Sequence, residues 1–499
     1  MNKKHSLVAF MFAAVSQSLL AGGLNTNTNQ NASFLRLLSQ GGYIDITSLY
    51  VNPAGTAFLA PGHHLSLSIQ NAKQSRTIDT TFPLFALNKN VPGTTHNFKG
   101  DAYAPVIPSF QYSYNTDGKW SFNAQFALVG GGGKCEFDNG LGSFEALYAG
   151  QLYQLVPTMV MAQLPGMVTQ GLTAKGVPAA MAQQLAAAGE YKAGLSGYEL
   201  NAYMKGKQYY FGLTAGAAYK VLDNLALSAG IRGIYAMCNY NGFVQDIKAD
   251  YQYSYNVPLS ALGMPALTDQ GAGSQDLSSN ELALNADQTG FGIAPIFGID
   301  WKINDKWNIA AKYEFKTRIR LENKSEMNAT AAEQAKTNAT LGQFADGAKI
   351  AGDIASLATV GVQYSPIQNV KILAGFNYYG DKSATQYGDK QKLVDDNTYE
   401  INAGAEWDIN KRFTVSCGWQ TTQYGLSDAY MNDLSFNTSS NNYGVGLRFN
   451  ASEKCFVDFG YMYTDYDKRE VKTATAAGDK IDLYHRTNRV LGLSVTFKM

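Results

Sequence analysis

The chain has 499 residues with 40 basic and 40 acidic side chains, a formal net charge of zero, and only 16% charged residues. That balance excludes a nucleic-acid reader, which needs a basic face, and a protein held to membranes by charge alone. Tyr (31), Phe (25) and Gly (49) are abundant, the usage of a transmembrane β-barrel with an apolar outer face, a polar lumen and aromatic rims.

Residues 1–23 read as a secretory signal. Lys3 and Lys4 make its basic start, Leu7–Ala14 its apolar stretch, Leu19-Leu20 a second apolar patch, and Ala21-x-Gly23 its small residues for cleavage. No Cys follows the cleavage region, so no lipoprotein anchor is expected. No later apolar run reaches the roughly 20 residues that a membrane helix needs. An exported chain without helical spans is periplasmic, secreted, or an outer-membrane barrel.

Residues 24–62 open with a polar Asn/Thr run. An amphipathic turn or short helix follows over Ala32–Leu38, then Gly41-Gly42, then the turn Asn52-Pro53-Ala54-Gly55. A segment this short cannot build its own core and needs a wall to pack on. A barrel lumen supplies one.

From His63 onward, apolar/polar alternation divides the chain into strands. They fall at 63–80, 102–115, 119–129, 198–220, 225–250, 281–302, 307–325, 349–364, 370–384, 396–408, 412–424, 435–450, 454–470 and 482–497. The connections alternate short and long. Short ones include Asn115–Gly118, Val221–Asn224 and Asn304–Lys306; long ones include 130–197, 251–280 and 326–348. Short turns at one end and long loops at the other mark an outer-membrane barrel with both termini in the periplasm. The predicted fold class is all-β, a 14-stranded antiparallel transmembrane barrel. Trp307, Ile309, Ala311, Tyr313 and Phe315 form a lipid face, opposite Lys312, Glu314, Lys316, Arg318 and Arg320. Charges are costly against lipid, so the charged set is placed in the lumen. Trp301, Trp307, Trp407 and Trp419 are placed in the interfacial girdles.

The connection 130–197 begins Gly130-Gly131-Gly132-Gly133-Lys134. No Ser or Thr follows the Lys, so this is no phosphate loop; glycines here mark a bend, a bulge or the close approach of another backbone. Helical patterning follows, with Leu147, Leu152, Leu155, Met159, Leu164, Met167, Met181 and Leu185. That apolar set has two compatible readings: helices packing on each other and the rim, or a surface capturing an apolar ligand.

Phe34-Leu35-Arg36, Asp45, Tyr50-Val51-Asn52-Pro53-Ala54-Gly55 and Phe58-Leu59 resemble the start of FadL/TodX-type outer-membrane transporters of hydrophobic compounds. The third strand running into Gly130–Gly133 and Phe137-Asp138-Asn139 is similar to that family's third strand. The resemblance implies a hatch over 24–62, with Asn52, Pro53, Ala54 and Gly55 as its motif. It implies an extracellular capture loop over 130–197, with Leu152, Leu155, Met159, Leu164 and Met167 as candidates. It also implies lateral release through a kink, placed at Leu128, Gly130, Gly131, Gly132 and Gly133. The sequence departs from the family where Pro-Phe-Gly is replaced by glycines and where the chain ends Phe497-Lys498-Met499. The Asn52–Gly55 turn is expected to lean on Leu128–Gly133, with Asn52 bonding backbone freed by the bend, or else to be a plain turn that starts the first strand.

A fatty acid adds a carboxylate, for which lumenal Arg232, Lys316, Arg318 and Arg448 are candidates. Each has a second reading as the ion-pair partner of Glu314, Glu400, Glu406 or Asp458. No G-x-S-x-G occurs among the residues, and the five His are scattered, so an enzyme is not expected. His64 and His485, on neighbouring strands, are read as rim histidines. Cys135, Cys238, Cys417 and Cys455 are read as structural, with a Cys135–Cys238 bridge as a minor alternative. No cofactor, metal or nucleic acid is expected. The expected partners are a hydrophobic small molecule and outer-membrane lipid, with the chain acting as a monomer. The alternative function is a surface adhesin or haem-binding protein on the same barrel.

Overall fold

The computed structural model describes residues 23–116, 118–336, 339–433 and 436–499; residues 1–22, most of the signal reading, lie outside it. The strands are β1 Gly62–Thr81, β2 Thr95–Asn115, β3 Trp120–Phe137, β4 Glu190–Leu222, β5 Leu225–Val257, β6 Leu267–Asp276, β7 Leu282–Lys302, β8 Trp307–Glu314 and β9 Arg320–Met327. They continue as β10 Lys349–Ala351, β11 Leu357–Ile367, β12 Val370–Tyr379, β13 Val394–Asp408, β14 Phe413–Leu426, β15 Ser440–Ser452, β16 Cys455–Tyr466, β17 Arg469–Thr475 and β18 Gly478–Lys498. β8 with β9, and β10 with β11, are halves of single wall strands. β6 and β17 extend hairpins above the wall. What remains is a closed antiparallel barrel of 14 strands. It closes where β1 pairs with β18, from His64↔Lys498 to Thr81↔Ile481.

The faces invert the rule for soluble proteins. On β1 the outward Leu67 and Ile69 are 48% and 50% exposed, while the inward Ser66, Ser68 and Gln70 are buried. Only a lipid surround reconciles exposed apolar and buried polar side chains at every alternate position. Trp301, Trp307 and Trp407 stand exposed beside the short turns, and Trp419 is exposed further up its strand. The turns have local causes. Asn304 Oδ1 accepts from the Lys306 and Trp307 amides at 2.9 and 3.0 Å, and Asn410 Oδ1 repeats this with Arg412 and Phe413 at 2.8 and 3.0 Å. Both are Asx turns, which tighten a hairpin without glycine.

One predicted face is corrected. β7 pairs Ile296 with Glu314, then Thr289 with Glu322, so the β8–β9 strand carries one residue more than its neighbour over that interval. A single-residue bulge flips every later side chain to the other face. Lys312 and Glu314 point inward as expected, but Thr317 and Ile319 are the buried positions beyond the bulge and Arg318 is exposed.

β4 and β5 are 33 residues each, against the 9–11 that a tilted strand needs to cross lipid. Their upper halves therefore stand clear of the membrane and carry the helices α2 (Gly142–Ala174) and α3 (Ala179–Ala187). α2 buries Tyr148, Leu152, Val156, Val160, Leu164, Val168 and Leu172, one residue every four, which places them on one face. Residues 130–197 are thus only partly loop, since β3 runs on to Phe137 and β4 starts at Glu190.

Cys135 and Cys238 do not bridge. Cys135 pairs with Gly206 on β4, whose other neighbour on β5 is Tyr240. One strand therefore separates the two thiols, about 9–10 Å, beyond disulfide reach. His64 and His485 are also apart: His64 pairs with Lys498 at one end of the β1–β18 seam, and His485 pairs with Thr77 towards the other.

Candidate functional site

Residues 23–59 lie within the barrel and are nearly all buried. They are seated in two chemically different ways. Around α1 (Ala32–Arg36) the contact is ionic. Arg36 meets Glu406 at 2.6 Å and Asp458 at 3.0 Å. Lys371 meets Glu406 at 2.6 Å, Arg448 meets Asp458 at 2.7 Å and Asp45 at 2.9 Å, and the Tyr43 hydroxyl donates to Glu406 at 3.0 Å. Burial alone would raise the Asp45 carboxyl, but Arg448 and the Thr47 amide outweigh it and hold Asp45 low. On the opposite side, residues 25–31 carry only Asn, Thr and Gln. Asn29 Nδ2 donates to Gln70 at 2.7 Å, and Gln125 Nε2 donates to Gln30 at 3.0 Å.

The Asn52–Gly55 turn docks on β7. Asn52 Nδ2 donates to Asp300 and its Oδ1 accepts from Gly55 N at 3.0 Å, while Pro53 lies against Gly298. Thr56 of the following turn receives Asn123 Nδ2 at 2.9 Å on β3, below the kink. The expected contact between this turn and Leu128–Gly133 is therefore replaced by contact with β7 and with lower β3.

At the kink, β3 pairs Leu128↔Phe211, Gly130↔Tyr210 and Gly133↔Gln208 on β4, so it carries two surplus residues. Gly131 and Gly133 take φ of 90° and 67°, which only glycine adopts without strain. A Cβ on Gly131 would lie 2.5 Å from the Gln208 carbonyl oxygen. On the other side the ladder with β2 stops at Phe110↔Phe126 and resumes only at Asp101↔Glu136. Between these points the β2–β3 ladder has a gap, along a stretch that holds the buried Ala102, Ala104, Ile107, Ala127, Leu128 and Val129. Backbone freed by the bend needs partners. It finds Asn27, whose N donates to the Val129 carbonyl at 2.9 Å and whose Nδ2 donates to that of Leu128 at 3.3 Å. The expected asparagine contact exists, made by Asn27 rather than Asn52.

Above the gap lies a cavity of about 930 Å³ between α2, the upper wall and the extracellular loops. Ala146, Leu147, Gly150, Gln151 and Gln154 of α2 face it, with Phe82, Tyr210, Tyr240, Leu321 and Tyr484 from other elements. Asn25 lines the cavity floor, and its carbonyl oxygen lies where a Cβ on Gly130 would be 2.3 Å away. Residues 25–27 thus stand between cavity and gap. The predicted capture residues lie elsewhere on α2. Leu152 and Leu164 are buried against the sheet, Leu155 and Met159 are half-buried, and Met167 is exposed. The cavity uses the adjacent face of the helix, where Leu147 of the apolar set is joined by Gln, Gly and Ala residues that carry no apolar signal.

Three of the four predicted lumenal cations have protein partners, and the fourth, Arg318, points outward. Arg232 meets Glu314 at 2.7 Å, Arg448 meets Asp458 and Asp45, and half-buried Lys316 donates to the Ser383 carbonyl at 2.7 Å. The cations that line the cavity are Lys390 and Lys480. Lys480 pairs with Asp482. Lys390 Nζ lies 4.2 Å from the Tyr430 ring centroid, with no carboxylate in ion-pair reach among the described residues. It sits in the irregular turn Tyr387–Leu393, where no periodicity marks a facing.

Gly41 and Gly361 bring the inner segment and β11 into backbone contact: a Cβ on Gly361 would lie 2.4 Å from Gly41 Cα. Gly361→Val is expected to unseat this part of the segment at about 1–3 kcal/mol. Ion conductance in planar bilayers should rise; an unchanged trace would show that the contact is dispensable for sealing.

No family model matches the sequence, and no curated relative does. Among solved structures, the chain is similar to a Pseudomonas aeruginosa FadL homologue, with TM-score 0.60 and 14% identity over 96% of this chain and 100% of that one. It is also similar to the Pseudomonas putida toluene transporter TodX, with TM-score 0.51 and 12% identity over 98% and 99% of the two chains. With its lipid-facing belt, unpaired stretch in the wall and filled lumen, the chain has the fold of the FadL/TodX-type outer-membrane barrels.

Proposed function

We propose that this chain is an outer-membrane uptake channel for hydrophobic compounds, with long-chain fatty acids as its substrates. The observation that carries the reading is the gap in the β2–β3 ladder, an apolar stretch of wall separated from a large outer cavity by residues 25–27. A water-filled pore does nothing for a greasy solute. An opening towards lipid keeps the chain out of water, where each exposed CH₂ would cost about 0.8 kcal/mol. In this scheme the cavity captures the ligand, the Asn25–Asn27 run moves as a hatch, and release is sideways.

The cavity lining favours an amphiphile over a pure hydrocarbon. Gln and Asn side chains alternate with aromatic and aliphatic ones, and Lys390 offers an ammonium free of carboxylate partners. The other charged groups on the lining are engaged: Asp428 with Arg469 at 2.7 Å, Asp433 with the Ser143 amide at 2.7 Å, and Lys480 with Asp482.

Burial pushes the Lys390 ammonium down to about 7. It is therefore charged below that pH and neutral above it, while a carboxylate head is charged above about pH 4–5. Affinity for palmitate should be greatest between these limits and fall as pH rises through 7; hexadecanol affinity should stay level. Lys390→Met should flatten the palmitate profile. In cells, labelled oleate uptake should depend on the protein, and uptake equal to that of a strain lacking it ends the reading.

A further inference from the structure

A second lumenal cluster differs from the ionic seat. Arg76 on β1 and Arg486 on β18 are direct cross-strand partners, both inward-facing, 2% and 1% exposed. Like charges directly opposite each other are destabilising, and burial makes them more so. Arg36, Arg232, Lys371 and Arg448 each meet a carboxylate. Arg76 does not: the ionisable groups whose charge reaches it are Cys135, Arg486 and Tyr466. Its Nε donates to Gln74 Oε1 at 2.7 Å. That leaves Arg76 Nη2 and Gln74 Nε2, two buried donors on one strand face, without a hydrogen-bond partner among the described residues. Arg486 is held in place from its own side, 3.9 Å over the Tyr466 ring and 3.1 Å from Asn437 Oδ1.

The position matters as much as the charge. The β2 partners of Arg76 and Gln74 are Gly100 and Ala102, which bring no polar group to the donors. One inward step towards the outside, Ile78 pairs with Tyr484, and Tyr484 lines the outer cavity. On the other side, Cys135 belongs to the stretch of β3 that has lost its ladder with β2. The cluster therefore stands between cavity and gap.

We propose that Arg76 and Gln74, with Arg486 beside them, form a binding site for the carboxylate head of the transported amphiphile as it passes from the cavity to the wall opening. A guanidinium presents two parallel donors matched to a carboxylate, and the anion offsets the repulsion between the two arginines. A neutral hydrocarbon gains nothing there. This rests on the channel reading above and assigns that reading a second polar station, deeper than Lys390.

The test compares palmitate with hexadecanol, the same chain without the charge, on purified full-length protein. Arg76→Gln should weaken palmitate by about tenfold or more and leave hexadecanol unchanged, while Arg76→Lys restores part of the loss. Ligand-free Arg76→Gln should also melt at a higher temperature than the parent, because a buried repulsion is relieved; a merely structural arginine would lower it. Wild-type binding of both ligands with equal losses in Arg76→Gln overturns this site alone. Wild-type binding of neither overturns the channel reading together with it. Full competition by chloride or inorganic phosphate would make the cluster an inorganic-anion site and also overturn the proposal.

Discussion

Deletion of Gly131 and Gly132 is expected to reduce oleate uptake to the level of a strain lacking the protein while leaving capture in the outer cavity intact. These glycines lie in the interval where β3 exceeds β4 by two residues. Removing an even number preserves the alternation of faces, so Lys134 and Glu136 stay outward and Cys135 stays inward. β3 can then run straight against β4, and most of its free backbone groups can pair with β2, around the one-residue bulge that β2 keeps between Ala104 and Ile107, instead of with Asn27. A wall strand that regains its ladder closes the opening to lipid, which tolerates no unpaired backbone. The barrel should also unfold at a higher temperature. Uptake that survives the deletion places the exit elsewhere.

Arg36→Ala should have the largest effect on stability. Its guanidinium is fully buried and bonds Glu406, Asp458 and Ser416 at 2.6, 3.0 and 3.0 Å. Losing one member of a buried ion network costs about 3–5 kcal/mol, because the partners remain desolvated. Part of this is offset here, since Lys371 still serves Glu406 and Arg448 still serves Asp458. Denaturant titration should show the loss, and small hydrophilic antibiotics should enter cells more readily. Combining Arg36→Met with Glu406→Gln should cost less than the sum of the single changes. Strict additivity would show that the two residues do not act as a unit.

The wall was legible because lipid and lumen impose a strict period of two. The strand read at 281–302 is Leu282–Lys302, and the turns at Asn304 and Asn410 are where they were placed. The reading failed where the period breaks. Four glycines hid the continuation of β3 to Phe137, and one extra residue beyond Glu314 turned Arg318 outward. The interior was less legible. Asn52 finds Asp300, 248 positions away, and Asn27 takes the place expected for Asn52. Such pairings leave no local trace. The α2 stripe was half seen: Leu152 and Leu164 were noted, but Val156, Val160 and Val168 complete it, and the cavity-facing side offers only Leu147 as an apolar signal beside Gln, Gly and Ala. Arg76 and Arg486 were passed over because nothing in either strand shows that the other lies opposite.

The two seats of the inner segment differ in what water can do to them. At α1, separation would strand unit charges against a narrow wall. Along residues 25–31, Asn27, Asn29 and Gln30 hold the wall through amide hydrogen bonds, and a water molecule can replace each of these at little net cost. In the proposed scheme α1 is the fulcrum and the asparagine run is the arm that moves. The arm ends at Val129 and Gly130, so a small angular swing at the fulcrum becomes its greatest displacement at the opening in the wall.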